Sequence, residues 1–256
     1  MATVLITGTS KGIGLETALA FGRAGHKVYA TMRKPAQSPE LAETAKREKL
    51  PIEISAMDVD ADQSVREGIA AIQKKAPIDV LVNNAGVEKT GAVEELPLAE
   101  FKAAMETNYF GAIRCIQAVL PQMRERRAGV IVNVSSSTTL RSLPLLSVYT
   151  ATKAAVNAFT MSLALELEPF GIRTRLVLPG RAPGTSFASN ARTRMGGGFP
   201  DAYAELAQRL MAGMQGDSTV THSPDVAEAV WRAATDPSCP MRLPAGADAI
   251  AWAEAH

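Results

Sequence analysis

From residue 3 onward, short runs of Val, Ile, Leu and Thr alternate with longer stretches whose apolar residues recur at helical spacing. This alternation constrains the fold more than any other feature of the chain. Short, continuously apolar runs suit strands buried on both faces, and the stretches between them suit crossover helices. Strands are expected near Thr3–Thr7, Lys27–Thr31, Ile52–Met57, Val80–Asn83, Val130–Ser135 and Thr174–Leu178. Helices are expected to begin near Gly12, Pro39, Asp62, Pro97 and Ser147. A later one should start near Pro224, where Ser223-Pro224-Asp225 supplies a cap and then a proline in the first turn. The expected fold is α/β, a doubly wound parallel sheet with helices on both faces, forming a single domain over residues 1–256.

One stretch departs from the rhythm. Between Thr185 and Ser218 lie Gly196-Gly197-Gly198-Phe199-Pro200 and a loose helical pattern around Ala202–Met211. It is too short to bury a core of its own, so residues 185–218 read as a small substrate-side insertion after the sixth strand. Open α/β sheets bind ligands at the carboxyl ends of their strands, where such insertions sit.

Composition narrows the function by exclusion. A net charge of +1 supplies no electrostatic reason for a nucleic-acid or membrane partner. No run approaches the roughly 18 apolar residues of a membrane span, and the N-terminus has no pattern of a secretory leader. Cys115 and Cys239 are isolated, which points to a reducing, cytoplasmic location. His26, His222 and His256 are scattered and form no metal-ligand spacing with them, so no metal site is expected. A Ser-His-Asp hydrolase gains no support either.

The first strand runs into Thr7-Gly8-Thr9-Ser10-Lys11-Gly12-Ile13-Gly14 and then a helix. Glycines at a strand-to-helix junction let the backbone turn sharply and approach a pyrophosphate, and the helix N-terminus offers it N–H groups and a positive dipole end. Three glycines alone occur in many loops, as a plain turn; the placement between strand and helix is what the dinucleotide reading requires. The end of the second strand reads Val28-Tyr29-Ala30-Thr31-Met32-Arg33-Lys34 and lacks the acid that would hold a free ribose 2′-hydroxyl. Arg33 is placed to meet a 2′-phosphate there, with Lys11 in reach of the same group, so NADP(H) is expected in preference to NAD(H). The competing reading makes both of them solvated surface cations.

Tyr149 and Lys153 lie one turn apart on the helix expected from Ser147. An ammonium beside a phenol lowers its pKa from about 10 toward neutrality and makes it a usable acid or base. The pair gains weight from what accompanies it. Thr7-Gly8-x-x-x-Gly12-Ile13-Gly14, Asn83-Asn84-Ala85-Gly86, Asn108, Ser136 and Tyr149-x-x-x-Lys153, in this order, resemble the short-chain dehydrogenase/reductase family. The resemblance runs from Thr3 to about Pro179, with weaker support from Pro224 to the end.

It implies a Rossmann-type fold and an oxidoreductase acting on a carbonyl or secondary alcohol. By the resemblance, Tyr149 handles the proton and Lys153 binds the nicotinamide ribose and holds down the tyrosine pKa. Ser136 hydrogen-bonds the substrate oxygen, while Ser135 and Ser137 are strand-end structure. Asn108 kinks its helix and holds a water linking Lys153 to solvent. The cofactor would be bound by Gly8, Ser10, Lys11, Gly12, Ile13 and Gly14, and by Asp58 and Val59 at the adenine. Asp58 has a second reading as a cap for the following helix. Asn83, Asn84 and the backbone around Ala85 and Gly86 would shape the groove, and Pro179, Gly180 and Thr185 would meet the nicotinamide amide.

Three departures from the family pattern stand out. Thr185 comes one residue late, Thr152 replaces a common serine, and Thr138-Thr139-Leu140 lacks a glycine usual after the serine. The substrate pocket is expected to be walled by Val87, Leu143, Leu145, Leu146 and the insertion, with Phe187, Met195, Phe199 and Met211 as apolar candidates. That favours a small hydrophobic carbonyl or alcohol. Arg192 and Arg194 read better as a solvated face than as an acid-binding pair. Apolar residues on the helices carrying Asn108 and Tyr149 (Ile113, Ile116, Val119, Leu120 and Met123; Val156, Phe159, Leu163 and Leu167) suit pairing into a homodimer or homotetramer, unless they only face the core. The alternative to an enzyme is an NADP(H)-binding redox sensor without turnover. Keeping Ser136, Tyr149 and Lys153 together argues against it, because cofactor binding does not need all three.

Overall fold

The computed structural model describes residues 1–182, 200–216 and 219–255. Among them, seven strands form one parallel sheet: β1 (Thr3–Thr7), β2 (Lys27–Met32), β3 (Ile52–Ala56), β4 (Val80–Asn83), β5 (Gly129–Val134), β6 (Ile172–Pro179) and β7 (Arg242–Ala245). Their spatial order is β3-β2-β1-β4-β5-β6-β7. The chain steps outward from β1 to β3 and then returns to β4 beside β1, so a crevice opens at the carboxyl ends of β1 and β4. The helices are α1 (Gly12–Arg23), α2 (Glu40–Arg47), α3 (Asp62–Gln73), α4 (Leu98–Met105), α5 (Gly111–Arg126), α6 (Ser147–Leu167), α7 (Asp201–Gly216), α8 (Ser223–Thr235) and α9 (Ala247–Glu254).

Alternate strand residues feed two cores, as the two-residue strand period requires. Val4 and Ile6 of β1 join Val28, Ala30, Val82 and Val132 beneath α1 and α8. Leu5, on the opposite face, joins Leu81 and Ile131 beneath α3, α5 and α6. The six expected strands fall within a residue or two of those observed. β7 and α9 were not expected. Arg242-Leu243-Pro244-Ala245 is short and holds a proline, a residue that sheets tolerate at an edge, and β7 is the edge strand.

The helix expected from Pro97 is interrupted. α4 passes into a π-helical turn over Glu106–Phe110, and α5 continues from it. π turns of this kind often mark functional positions, and this one carries Asn108.

The loose helix expected around Ala202–Met211 is α7. Its Ala207 packs with Leu145 and Ala92, flanked by Tyr203, Leu206 and Leu210. Thr185, Phe187, Arg192, Arg194, Met195, Phe199 and the Gly196–Gly198 triplet lie outside the described residues, as do the side chains of Met211 and Met214.

The apolar residues expected to spare surface for subunit pairing are largely core: Ile116, Val119, Met123, Val156, Leu163 and Leu167 are all buried. The exposed large apolar side chains of this region are Phe110, Met161 and Leu165. Among the described residues, no helix is long and apolar enough to cross a membrane, and no three His, Cys, Asp or Glu side chains gather as a metal site.

Candidate active site

The glycine turn is a backbone cradle. Gly8 and Gly12 take positive φ, +72° and +61°, where side chains are strained. A Cβ at Gly14 would stand 2.3 Å from the Gly8 carbonyl oxygen and 2.4 Å from Asn84 Nδ2. α1 begins behind an extended Lys11 with no side-chain cap and no acid in its first turn, so its leading N–H groups suit an anion. The donor chemistry and the cleared backbone therefore fit a dinucleotide pyrophosphate.

Asn84 serves the turn itself. Its amide donates to the Thr7 and Gly8 carbonyls at 2.9 and 3.0 Å. Thr7 Oγ1 accepts the N–H groups of Asn84 and Ala85, both at 3.1 Å. Thr9, fully buried, donates its N–H and its hydroxyl to the Thr31 carbonyl, both at 3.1 Å, tying the turn to β2. Ile13 packs against the α1-side core.

Beyond β2, Arg33 is exposed and close enough to influence Asp60. Burial raises the Asp60 carboxyl above its ordinary value, opposed by the hydrogen bond from the Thr107 hydroxyl and by the Arg33 charge. Asp58 Oδ1 accepts the Asp60 N–H at 3.1 Å, and the Asp58 N–H goes to Ser64 Oγ at 2.9 Å. α3 is capped at Ala61, so Asp58 closes the turn before that helix and does not cap it. Val59 is buried and packs so closely on Gly111 that a Cβ there would be 2.9 Å from Val59 Cγ2. This contact and the Thr107–Asp60 bond, 3.0 Å, fasten the π turn to the rim that carries Asp58.

Ser136, Tyr149, Lys153 and Asn108 come together at the ends of β4 and β5. Tyr149 is hydrogen-bonded with Ser136. Ser136 Oγ accepts from the N–H and the hydroxyl of Thr138, at 3.2 and 3.1 Å. With both lone pairs taken, the Ser136 proton is directed outward to the Tyr149 oxygen. Lys153 Nζ donates to the Val134 carbonyl at 2.9 Å and lies 5.8 Å from the centre of the Tyr149 ring. Asn108 accepts the Val87 N–H at 2.7 Å and donates to the Val87 carbonyl and the Thr152 hydroxyl, both at 2.9 Å. Gly86 keeps this corner open: a Cβ there would stand 3.2 Å from Asn108 Oδ1 and 3.5 Å from Lys153 Nζ.

One electrostatic expectation needs correcting. The Tyr149 phenol is not lowered by Lys153 in this arrangement; burial is the larger influence and pushes it well above its ordinary value. The Ser136 bond opposes burial and the Glu88 charge reinforces it. Lys153 is itself buried, and its ammonium is engaged with the Val134 carbonyl instead of the phenol oxygen. Resting Tyr149 is therefore a neutral phenol, the form that gives up a proton.

Burial lowers the Lys153 pKa from 10.5 to about 8. An amine with a lower pKa folded than unfolded binds fewer protons when folded. Burying it thus costs stability below about pH 8, and the cost fades as pH rises toward the unfolded value. Lys153→Met is expected to raise the urea midpoint at pH 7, by the equivalent of about 1–3 kcal/mol, while abolishing activity. The gain should shrink by pH 10. A midpoint below the wild type's at both pH values would refute it.

Thr138 and Thr139 occupy the place of the family's glycine, and both hold the Ser136 segment in position. Thr138 sets the direction of the Ser136 proton. Thr139 donates to the Ser136 carbonyl at 2.7 Å and accepts from Asn157 at 2.9 Å, while Asn157 Oδ1 takes the Ser135 hydroxyl at 2.5 Å. Thr152 accepts from Asn108 and donates to the Tyr149 carbonyl at 2.7 Å. Pro179 and Gly180 close β6 beside Ser136's strand; Thr185 lies outside the described residues.

Residues 2–196 match the family model described as short chain dehydrogenase. An uncharacterized oxidoreductase of Bacillus subtilis, YusZ, is 35% identical over 235 residues, which cover 90% of this chain and 84% of that one. Retinol dehydrogenase 8 of Bos taurus is 44% identical over 183 residues, 70% of this chain but only 58% of that protein. Among solved structures, an actinorhodin polyketide ketoreductase with NADPH has a TM-score of 0.83 at 29% identity, covering 95% of both chains.

Proposed function

The chain belongs to the short-chain dehydrogenase/reductase family, and on that footing we propose that it interconverts a small hydrophobic carbonyl compound and its secondary alcohol with NADP(H), Tyr149 moving the proton. The observation that carries this reading is the hydrogen bond between Tyr149 and Ser136, formed where the glycine cradle and the β5 end face the same crevice. A bound nicotinamide supplies the hydride in reduction and accepts it in oxidation. The side chains supply alignment and the proton.

In reduction, the substrate oxygen lies within reach of the Ser136 and Tyr149 hydroxyls. As the carbonyl π bond opens, its electron pair moves onto oxygen, and that oxygen takes the phenol proton. The phenolate left behind is met by the outward Ser136 proton and by the Lys153 charge on the same helix face. Asn108 holds the Val87 backbone and the Thr152 hydroxyl, fixing the helix turn on which Tyr149 sits.

For the cofactor, we assign the pyrophosphate to Gly8, Ser10, Lys11, Gly12, Ile13 and Gly14, and the adenine to Asp58 and Val59. Ala85, Gly86, Pro179 and Gly180 border the nicotinamide end. The substrate wall is assigned to Leu145 with the α7 residues packed on it. An apolar carbonyl or alcohol is favoured by that lining. The names of two relatives, a retinol dehydrogenase and a polyketide ketoreductase, point the same way. Initial rates of NADPH oxidation over a panel of apolar aldehydes and ketones test the reading, and NADPH binding without turnover on any of them would replace it with the sensor reading.

The NADP(H) preference rests on Arg33. Arg33→Ala is expected to lower kcat/KM for NADPH by about 10- to 100-fold, the loss of a charge-assisted contact, and to leave NADH nearly unchanged. A wild type that prefers NADH, or equal losses with both cofactors, would overturn this assignment.

A further inference from the structure

The C-terminal β7–α9 unit reaches back to the end of β6 through one buried carboxylate. Asp248, in the first turn of α9, is only 2% exposed. Its Oδ2 accepts the Arg181 N–H at 2.6 Å and its Oδ1 accepts the Thr221 hydroxyl at 2.5 Å. The Thr221 N–H in turn donates to the Arg181 carbonyl at 2.9 Å, and the Gly180 N–H to the Ala245 carbonyl at 3.0 Å. No side chain fits at either crossing. A Cβ at Gly180 would lie 2.0 Å from Asp248 Oδ1, and one at Gly246, whose φ is +96°, would lie 1.8 Å from Thr221 Oγ1.

A buried carboxylate is costly unless donors meet it, and here one of the donors is the backbone of the loop leaving β6. The N-terminal turn of α9 also favours the negative charge. That loop begins three residues past Val177, the partner of Val134 in the strand register; the Val177 carbonyl accepts the Ser135 N–H at 2.7 Å. Asp248 thus holds backbone on the strand adjacent to Ser136, on the side of the crevice assigned above to the nicotinamide.

We propose that Asp248 is a positioning residue for hydride transfer: through the Arg181 N–H and the face of Gly180 it fixes the course of Pro179–Arg181, the backbone against which the nicotinamide ring lies. The proposal rests on the nicotinamide reading of the site. Asp248 acts through the backbone of Gly180 and Arg181, and Thr221 is its brace. A residue that held the domain together would weaken every ligand alike. A residue that sets this loop weakens only ligands that carry a nicotinamide.

Two ligands separate these cases: NADPH, and 2′,5′-ADP, which has the adenine end and no nicotinamide. In Asp248→Asn, the amide keeps the volume but turns a donor toward one of two donors. The dissociation constant for NADPH is expected to rise about tenfold, and that for 2′,5′-ADP to stay within about twofold. The fluorescence enhancement of bound NADPH should fall, and amide hydrogen exchange over residues 179–181 should quicken. Thr221→Val, which removes one donor and keeps the shape, should give the same split at smaller size if the Asn variant does not fold. NADPH binding and emission equal to wild type overturn the proposal, as does a parallel loss of 2′,5′-ADP affinity. Failure of the wild-type protein to bind NADPH would overturn the nicotinamide reading itself, and the proposal with it.

Discussion

Tyr149→Phe is expected to lower kcat by at least about a thousandfold while changing the NADPH dissociation constant by less than about threefold. The ring is buried at 6% exposure, and a phenylalanine fills the same volume over Lys153 Nζ, so the shape of the site persists. What disappears is the O–H that supplies the proton. Ser136 also loses its acceptor, at a stability cost of about 1 kcal/mol, too small to unfold the domain. The raised phenol pKa sharpens the expectation, because Tyr149 rests as the acid. Initial rates on a responsive carbonyl, with a fluorescence titration of NADPH, give both numbers. A kcat near wild type in this variant would remove Tyr149 from the mechanism.

The sheet was legible because burial on both faces writes itself into composition. Val80-Leu81-Val82 and Val130-Ile131-Val132 admit almost no reading but strand, and both are buried in place. β7 escaped because an edge strand with a proline and an arginine lacks that signature. The helix faces of α5 and α6 left two readings, pairing and core, for a related reason. A helix laid on a sheet under a second helix is apolar over a wide arc, and periodicity does not say where the core stops. Among the described large apolar side chains of the π turn, α5 and α6, Phe110, Met161 and Leu165 are exposed.

For the site, residue types with fixed spacing were readable, and polarity was not. Ser136, Tyr149 and Lys153 meet where the motif put them. The direction of the Ser136 proton depends on Thr138, and the charge balance of the Tyr149–Lys153 pair depends on burial. A residue four positions away in sequence says nothing of either. Lys153 lends its proton to Val134, a strand carbonyl that no helix-spacing rule could have named. Asp248 lies farther still from any motif, and its role depends on β7, the element the sequence concealed.

The glycine cradle makes the other large prediction. Gly14→Ala is expected to weaken NADPH binding by at least about a hundredfold, although it adds one methyl group and raises intrinsic helix propensity. The added carbon would stand 2.3 Å from the Gly8 carbonyl oxygen and 2.4 Å from Asn84 Nδ2. The first is backbone, and the second is held by the Thr7 and Gly8 carbonyls, so neither yields without moving the turn. Relief must come from displacing α1 away from β4, which carries its N-terminal N–H groups off the phosphate position; overpacking of this kind also costs about 1–3 kcal/mol of stability. Gly68→Ala is the matched control. Its nearest neighbour is the flexible Met57 sulfur at 3.1 Å, on the solvent-side helix α3, and binding there should be unchanged. Equal NADPH affinity in the two variants would mean that the turn between β1 and α1 does not hold the pyrophosphate. A selective loss at Gly14, with 2′,5′-ADP weakened alongside NADPH, would separate this failure from the one expected at Asp248, because Gly14 acts on the phosphate that both ligands carry and Asp248 on the nicotinamide that only NADPH carries.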